Sequence, residues 1–249
     1  MIRRLALISL SATTAVAASA MLLAAPSSAA PPVAEPDASQ ASVRAVPAAP
    51  GGHAQVVTVR VEDRWSTQGI LEAWKWSGRK GGYVRMLGPV TAYVGSEGVG
   101  RASEWSSTTP AGVYTLTEAF GRLEDPGTQL RYRKVGRSTW WVSDVDSPKY
   151  NTMQRCDPGD WCGFDQGSSE QLGAISVYSY AIVIDYNRDP PVPGKGSAFF
   201  IHETDWSPTQ GCISIERSKL VSLLRWLKPG SSPVVSIGVG SRAYAPLGR

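Results

Sequence analysis

His202 and Cys212 are the residues best placed to do chemistry together. The chain has two histidines and three cysteines. His202 ends the apolar run Ala198-Phe199-Phe200-Ile201, and Cys212 follows ten residues later, directly behind Gly211. A strand, a turn starting near Asp205 and a return to Gly211 would bring imidazole and thiol together. An imidazole there takes the thiol proton, and the ion pair keeps the sulfur nucleophilic at neutral pH. Gly211 permits a tight backbone turn, so the amides beside Cys212 can face an oxyanion. An inert buried thiol and a hydrogen-bonded histidine at a strand end are equally compatible with this spacing, which leaves both readings open.

Cys156 and Cys162 lie six apart in a segment of Asp, Pro and Gly, where a short loop can join two sulfurs. In an exported chain they are expected to form a disulfide, leaving Cys212 as the unpaired thiol; two free thiols are the alternative. This stretch has too few thiolates and imidazoles for a zinc site. His53 reads as solvated and receives no role. Peptidases of the papain type need a His after the Cys, and none follows Cys212. Trp65, Trp74, Trp76 and Trp105 could stack on sugar rings, although packing against a sheet is the commoner use of such residues.

Export is read from the first thirty residues. Arg3-Arg4 precede an uncharged stretch from Leu5 to Ala25, which ends in Pro26-Ser27-Ser28-Ala29-Ala30, the pattern of a cleaved signal peptide. Residues 31–53 are rich in Pro and Ala and poor in bulky apolar side chains, so they read as a disordered tether. Residues 54–240 are then expected to form a single domain, and 241–249 a tail. With 25 Lys+Arg against 21 Asp+Glu, removing Arg3 and Arg4 leaves 23 against 21, too small a surplus to mark a nucleic-acid partner. A hydrophobic fraction of 42% excludes a wholly disordered, collagen-like or polytopic membrane chain.

The elements that must position the pair are mostly strands. β-Branched and aromatic runs predict strands at 56–61, 83–88, 91–95, 112–117, 139–142, 174–180, 181–186, 198–202 and 234–237. Leu220, Leu223, Leu224 and Leu227 recur at helical spacing before Pro229-Gly230, predicting one late helix. The fold class expected is mainly β, sandwich-like, with that one α-helix.

The stretch from Gly194-Lys195-Gly196-Ser197 to His202, followed by Thr209-Gln210-Gly211-Cys212-Ile213, resembles the L,D-transpeptidase catalytic domain, the YkuD family. Its signature is a strand ending in His and then Ser/Thr-x-Gly-Cys. Thr109-Pro110-Ala111-Gly112-Val113-Tyr114 is similar to the family's Thr-Pro-x-Gly-aromatic element, and Trp140-Trp141, Asp146-Ser147 and Tyr150-Asn151 resemble a secreted actinobacterial branch. The resemblance implies a peptidoglycan tetrapeptide stem as donor and a reaction that requires no metal or cofactor. Cys212 would attack the carbonyl at the L-centre of the position-3 diamino acid and expel the terminal D-Ala. An amine of a second stem would resolve the thioester into a 3→3 cross-link. His202 would serve as base and then acid, the Gly211 and Cys212 amides would hold the oxyanion, and a carbapenem-type β-lactam would acylate the thiol.

The sequence departs from the family pattern at Gln210, where a second His is common, at Ser214, where Arg or Asn is frequent, and at Glu203, where Gly is common. The expected substrate contacts are Lys195, Thr209, Gln210, Ser214 and Arg217, with Arg155 a further cation for a stem carboxylate. Resolution of the thioester by water would make an L,D-carboxypeptidase instead, and loss of reactivity would leave a non-catalytic wall-binding domain. If the leader reading holds, N-terminal sequencing of the secreted protein should start near Ala30 or Pro31. A start at Met1 in wall fractions would instead mean an anchored chain.

Overall fold

The computed structural model describes residues 52–78 and 82–241. The signal peptide expected over 1–30, nearly all of the 31–53 tether and all but the first residue of the 241–249 tail lie outside the described residues. Among the described residues the chain opens with three long strands, β1 (Gln55–Val61), β2 (Gln68–Trp76) and β3 (Tyr83–Tyr93). Shorter strands follow: β4 (Val99–Gly100), β5 (Thr109–Pro110), β6 (Gly112–Thr115), β7 (Glu118–Gly121) and β8 (Arg131–Lys134). Next come β9 (Thr139–Trp141), β10 (Met153–Arg155), β11 (Glu170–Gln171), β12 (Ala181–Val183), β13 (Phe200–Glu203) and β14 (Ile213–Ile215). The helix α1 (Arg217–Trp226) and the strand β15 (Val234–Val239) close the fold.

The mainly β class with one α-helix is as expected. A single ten-stranded sheet, ordered β6-β15-β1-β2-β3-β14-β13-β12-β7-β8, curls on itself to make the layers. Val57 and Val59 of β1 share one core cluster with Ile182 of β12 and Ile201 of β13, strands distant in the sheet order. β1 lies between β15 and β2 and is buried on nearly every residue, which suits its β-branched run. On α1, Leu220, Leu223 and Leu224 are buried in the same cluster, joined by Leu227 just beyond the helix end.

Several elements differ from the sequence reading. The two runs at 83–88 and 91–95 form one strand, β3, whose register against β2 shifts between Leu71 and Trp74. Gly88 sits opposite this irregularity at φ +99°, and a Cβ there would lie 2.7 Å from the Leu71 carbonyl oxygen. Glycine is therefore what lets the strand continue. β2 itself went unread, because its run Gln-Gly-Ile-Leu-Glu-Ala-Trp-Lys-Trp lacks clean alternation. The strand expected at 174–180 is absent. Tyr178 N–H donates to the Ile175 carbonyl, so the segment closes on itself in turns. β12 already has β7 and β13 as neighbours, so no ladder position is left for it there. Its apolar side chains instead cover a second cluster containing Phe120, Trp141, Phe200 and Cys212.

Cys156 and Cys162 are joined in a disulfide with their Cα atoms 6.0 Å apart, and Cys212 is free. His53, expected to be solvated, accepts a structural position: its Nδ1 lies 2.8 Å from the Ser232 carbonyl oxygen. Peptide mapping without reductant should recover the 156–162 link with Cys212 unpaired. Replacing both bridged cysteines by Ser should lower unfolding stability by about 2 kcal/mol, the loop-entropy value for so short a ring, as read from denaturant titration. A Cys212 disulfide in the map would contradict this pairing.

Candidate active site

β13 and β14 are parallel neighbours in the register His202 opposite Ser214. In-register parallel strands present the same face, so Phe200, His202, Cys212 and Ser214 lie on one side of the sheet. Ile201, Ile213 and Ile215 point the other way into the main core. The connection between the two strands, residues 204–212, is unusually short for a parallel pair. It is held by backbone bonds at both ends. Thr204 N–H donates to the Ile215 carbonyl (2.8 Å), and Thr209 exchanges bonds with Val94 and Ser96 (2.9 Å each) at the end of β3.

Two threonine hydroxyls fix the turn before the thiol. Thr109 Oγ1 accepts from the Gly95 amide and donates to the Gly211 carbonyl, both at 2.8 Å. Thr209 Oγ1 donates to the Cys212 carbonyl (2.6 Å) and accepts from the Gly211 amide (3.1 Å). Gly211 adopts φ +128°, and a Cβ there would meet the Phe199 ring at 2.7 Å, so no larger residue fits. The sequence reading offered the Gly211 amide to an oxyanion. At rest that amide is taken by the Thr209 hydroxyl.

The Cys212 thiol is 8% exposed and donates to the Ala198 carbonyl (3.3 Å), while Phe200 N–H points at its sulfur (3.4 Å). Ala198 holds this carbonyl in place from a left-handed backbone conformation, φ +57°, which is costly for a residue with a Cβ. Burial pushes the thiol pKa far up, and the charge on Glu170 adds to the rise; the Phe200 amide and the Tyr178 hydroxyl pull it partly back. His202 is 7% exposed. Its Nδ1 lies 2.8 Å from the Glu203 carbonyl oxygen, which can only accept, so Nδ1 carries the proton and Nε2 the lone pair. Burial lowers the His202 pKa, against the opposing pull of that carbonyl and of Asp205 and Glu203. Burial therefore favours a neutral thiol and a neutral imidazole at rest. Desolvation works against the thiolate–imidazolium pair expected from the sequence, because it disfavours both charges.

A cleft of about 450 Å³ is lined by Cys212, His202, Tyr178, Glu170 and Glu104. Thr209 and Gln210 border the same cleft, as the sequence reading expected. The other expected substrate contacts do not. Ser214 shares the face but is fully buried, and its hydroxyl has no hydrogen-bond partner. Arg217 is paired with Glu203 at 2.9 Å and bonded to Ser179. Lys195 lines separate cavities beside Tyr186 and Val192, and Arg155 lies exposed on β10. Among the described residues the cleft lining contains no Lys or Arg. A larger cavity of about 950 Å³ around Asp185 and Arg188 contains neither Cys212 nor His202. Within it Arg188 bridges Asp185 (2.6 Å) and Glu118 (2.7 Å).

Sequence reasoning missed Tyr178, Glu170 and Glu104. Tyr178 packs its ring edge-on against His202, with centroids 5.4 Å apart, and its hydroxyl donates to Glu170 at 2.7 Å. Glu104 accepts from Tyr150 and from Ser197 (2.8 Å). None of the three has a nearby motif, and Tyr178 lies in the run misread as a strand. Trp105 and Trp206 are exposed and flank cleft residues in sequence, whereas Trp74 is buried and bonded to Thr58.

The family model described as the L,D-transpeptidase catalytic domain, YkuD, matches residues 75–235. No curated protein and no solved structure matches the chain. The matched stretch begins at the end of β2, so β1 and most of β2 lie outside it although both are central to the sheet.

The neutral resting pair has a direct readout. Alkylation of Cys212 by iodoacetamide, without substrate, should be slow at pH 7 and still accelerating above the ordinary thiol range. A rate that levels off below pH 7 would instead reveal a resting thiolate.

Proposed function

Since the chain belongs to the L,D-transpeptidase catalytic domain family, we propose that it cross-links peptidoglycan stem peptides 3→3 through a thioester on Cys212. The observation that carries this reading is a free thiol and a base-ready imidazole on the walls of one cleft. The family acts on peptidoglycan stem peptides; the 3→3 outcome and the residue roles belong to the proposal.

The donor carbonyl enters beside Cys212, and His202 Nε2 takes the thiol proton as sulfur attacks. A general base is needed at that moment, because the buried thiol does not ionise by itself. The resulting imidazolium protonates the departing D-Ala amine, leaving a neutral imidazole and a thioester. The oxyanion must be met by amides at the 211–212 turn. Gly211 N–H becomes available only as it leaves the Thr209 hydroxyl, which makes Thr209 the group that adjusts on binding. An acceptor amine then attacks the thioester, and the thiol reforms. Export through the 1–30 leader accords with the wall substrate and with the Cys156–Cys162 disulfide, which suits an oxidising compartment.

Mass analysis of products from tetrapeptide stems, with and without an acceptor amine, tests the reading. A cross-linked dimer is the expected result. A tripeptide in both reactions would make the protein a carboxypeptidase, and unchanged stems would leave a wall-binding domain. A carbapenem-type β-lactam should add its mass to the wild type and leave Cys212→Ala unmodified. In His202→Ala the adduct should form slower by roughly 10²-fold or more, with the fold retained by circular dichroism.

A further inference from the structure

We propose that Glu170 is the base that receives the acceptor amine, taking a proton from its ammonium form so that the free amine can attack the Cys212 thioester. The inference rests on the transpeptidase reading above and assigns the group serving its second half. Family resemblance points only to His202 as a base. His202, however, faces two proton-transfer tasks in this step: freeing an ammonium and then accepting the proton lost as the new amide forms. One neutral imidazole cannot hold both protons.

Glu170 stands where the other proton can go. It lines the same cleft as Cys212 and His202. Its Oε2 accepts the Tyr178 hydroxyl at 2.7 Å, and Oε1 has no hydrogen-bond partner among the described residues. Among the described residues no Lys or Arg pairs with it, and none lines the cleft. Lys195, Arg217 and Arg155 all lie elsewhere, as described above. A desolvated carboxylate without a cation favours a ligand that brings one, and an ammonium is what an acceptor presents at neutral pH. Facing Glu170 are Tyr178 from the turns before β12, Glu104 from the β4–β5 loop and Cys212 from the strand end. His202 and Asp205 line the same cleft. Burial pushes the Glu170 carboxyl up to about 7, with Glu104 adding to the rise and the Tyr178 hydroxyl opposing it. Such a group accepts a proton near neutrality and returns it to water readily.

The step balances. The ammonium loses one proton to Glu170, and the amine nitrogen bonds to the thioester carbonyl carbon. His202 takes the second proton from the nitrogen of the tetrahedral adduct. The carbon–sulfur bond breaks, an amide remains, and the departing sulfur receives the proton from the His202 imidazolium. Glu170 releases its proton to solvent.

The experiment measures transfer against hydrolysis as the dimer-to-tripeptide ratio by mass spectrometry, using tetrapeptide donor stems and a stem amine acceptor between pH 5.5 and 9. Wild type should show a ratio that rises to about pH 7 and then flattens. Glu170→Gln should lower the ratio at pH 7 by roughly 10²-fold and leave it climbing with the free-amine fraction. Glu170→Asp should restore part of the loss. Methoxyamine, already unprotonated at pH 7, should be transferred by Glu170→Gln at close to the wild-type ratio. Equal ratios for stem amine in wild type and Glu170→Gln would overturn the inference alone. So would a Glu170→Gln protein that forms no thioester, because Glu170 would then serve the first half instead. A wild type that forms no thioester would overturn the transpeptidase reading and this assignment together.

Discussion

The parallel pairing of β13 with β14, closed by the short 204–212 connection, is the constraint on which the site depends. A parallel pair normally takes a long crossover, often a helix, and here the chain must return within a few residues. The return is possible because its backbone is satisfied from outside. Thr209 bridges to the end of β3, and the Thr109 hydroxyl ties Gly95 to Gly211. Gly211 supplies the one backbone geometry that clears the Phe199 ring. The sulfur is thereby placed against the backbone of residues 198 and 200, on the face that carries His202.

That placement comes with desolvation. Cys212 sits within an apolar cluster with Phe120, Phe200, Trp141 and Tyr178, and three of these rings meet Phe200 edge to face. A thiolate in such surroundings is unfavourable, and so is an imidazolium. Desolvation consequently favours a proton on sulfur and a lone pair on Nε2. Direct bonding of Nδ1 to the Glu203 carbonyl sets the tautomer that makes this possible.

Charge is sorted around the cleft rather than spread over it. Cations near the site are engaged on its outside, Arg217 with Glu203 and Arg188 with Asp185 and Glu118. Carboxylates are turned inward, Glu104 on Tyr150 and Ser197 and Glu170 on Tyr178. An arginine two residues after the Cys would change this balance. Ser214 stands there instead, neutral and fully buried.

Local patterns were legible in the sequence wherever a contact spans few residues. The strand ending in His202, the Gly-Cys turn, the leucine stripe of α1 and the Cys156–Cys162 loop were each set by neighbours along the chain. β-Branched runs likewise marked β1 and β15. Spacing could not tell that residues 174–180 would turn rather than pair, because that depended on β7 and β13 already flanking β12. Nor could it find Tyr178, Glu170 and Glu104, which reach the cleft from three separate segments. The protonation of the pair lay equally beyond it: Cys212 and His202 name the chemistry, but their charge is set by the summed desolvation and fields of elements far apart in sequence. Residue types and short spacings determined which atoms could react, and only the tertiary structure decided their surroundings and their protons.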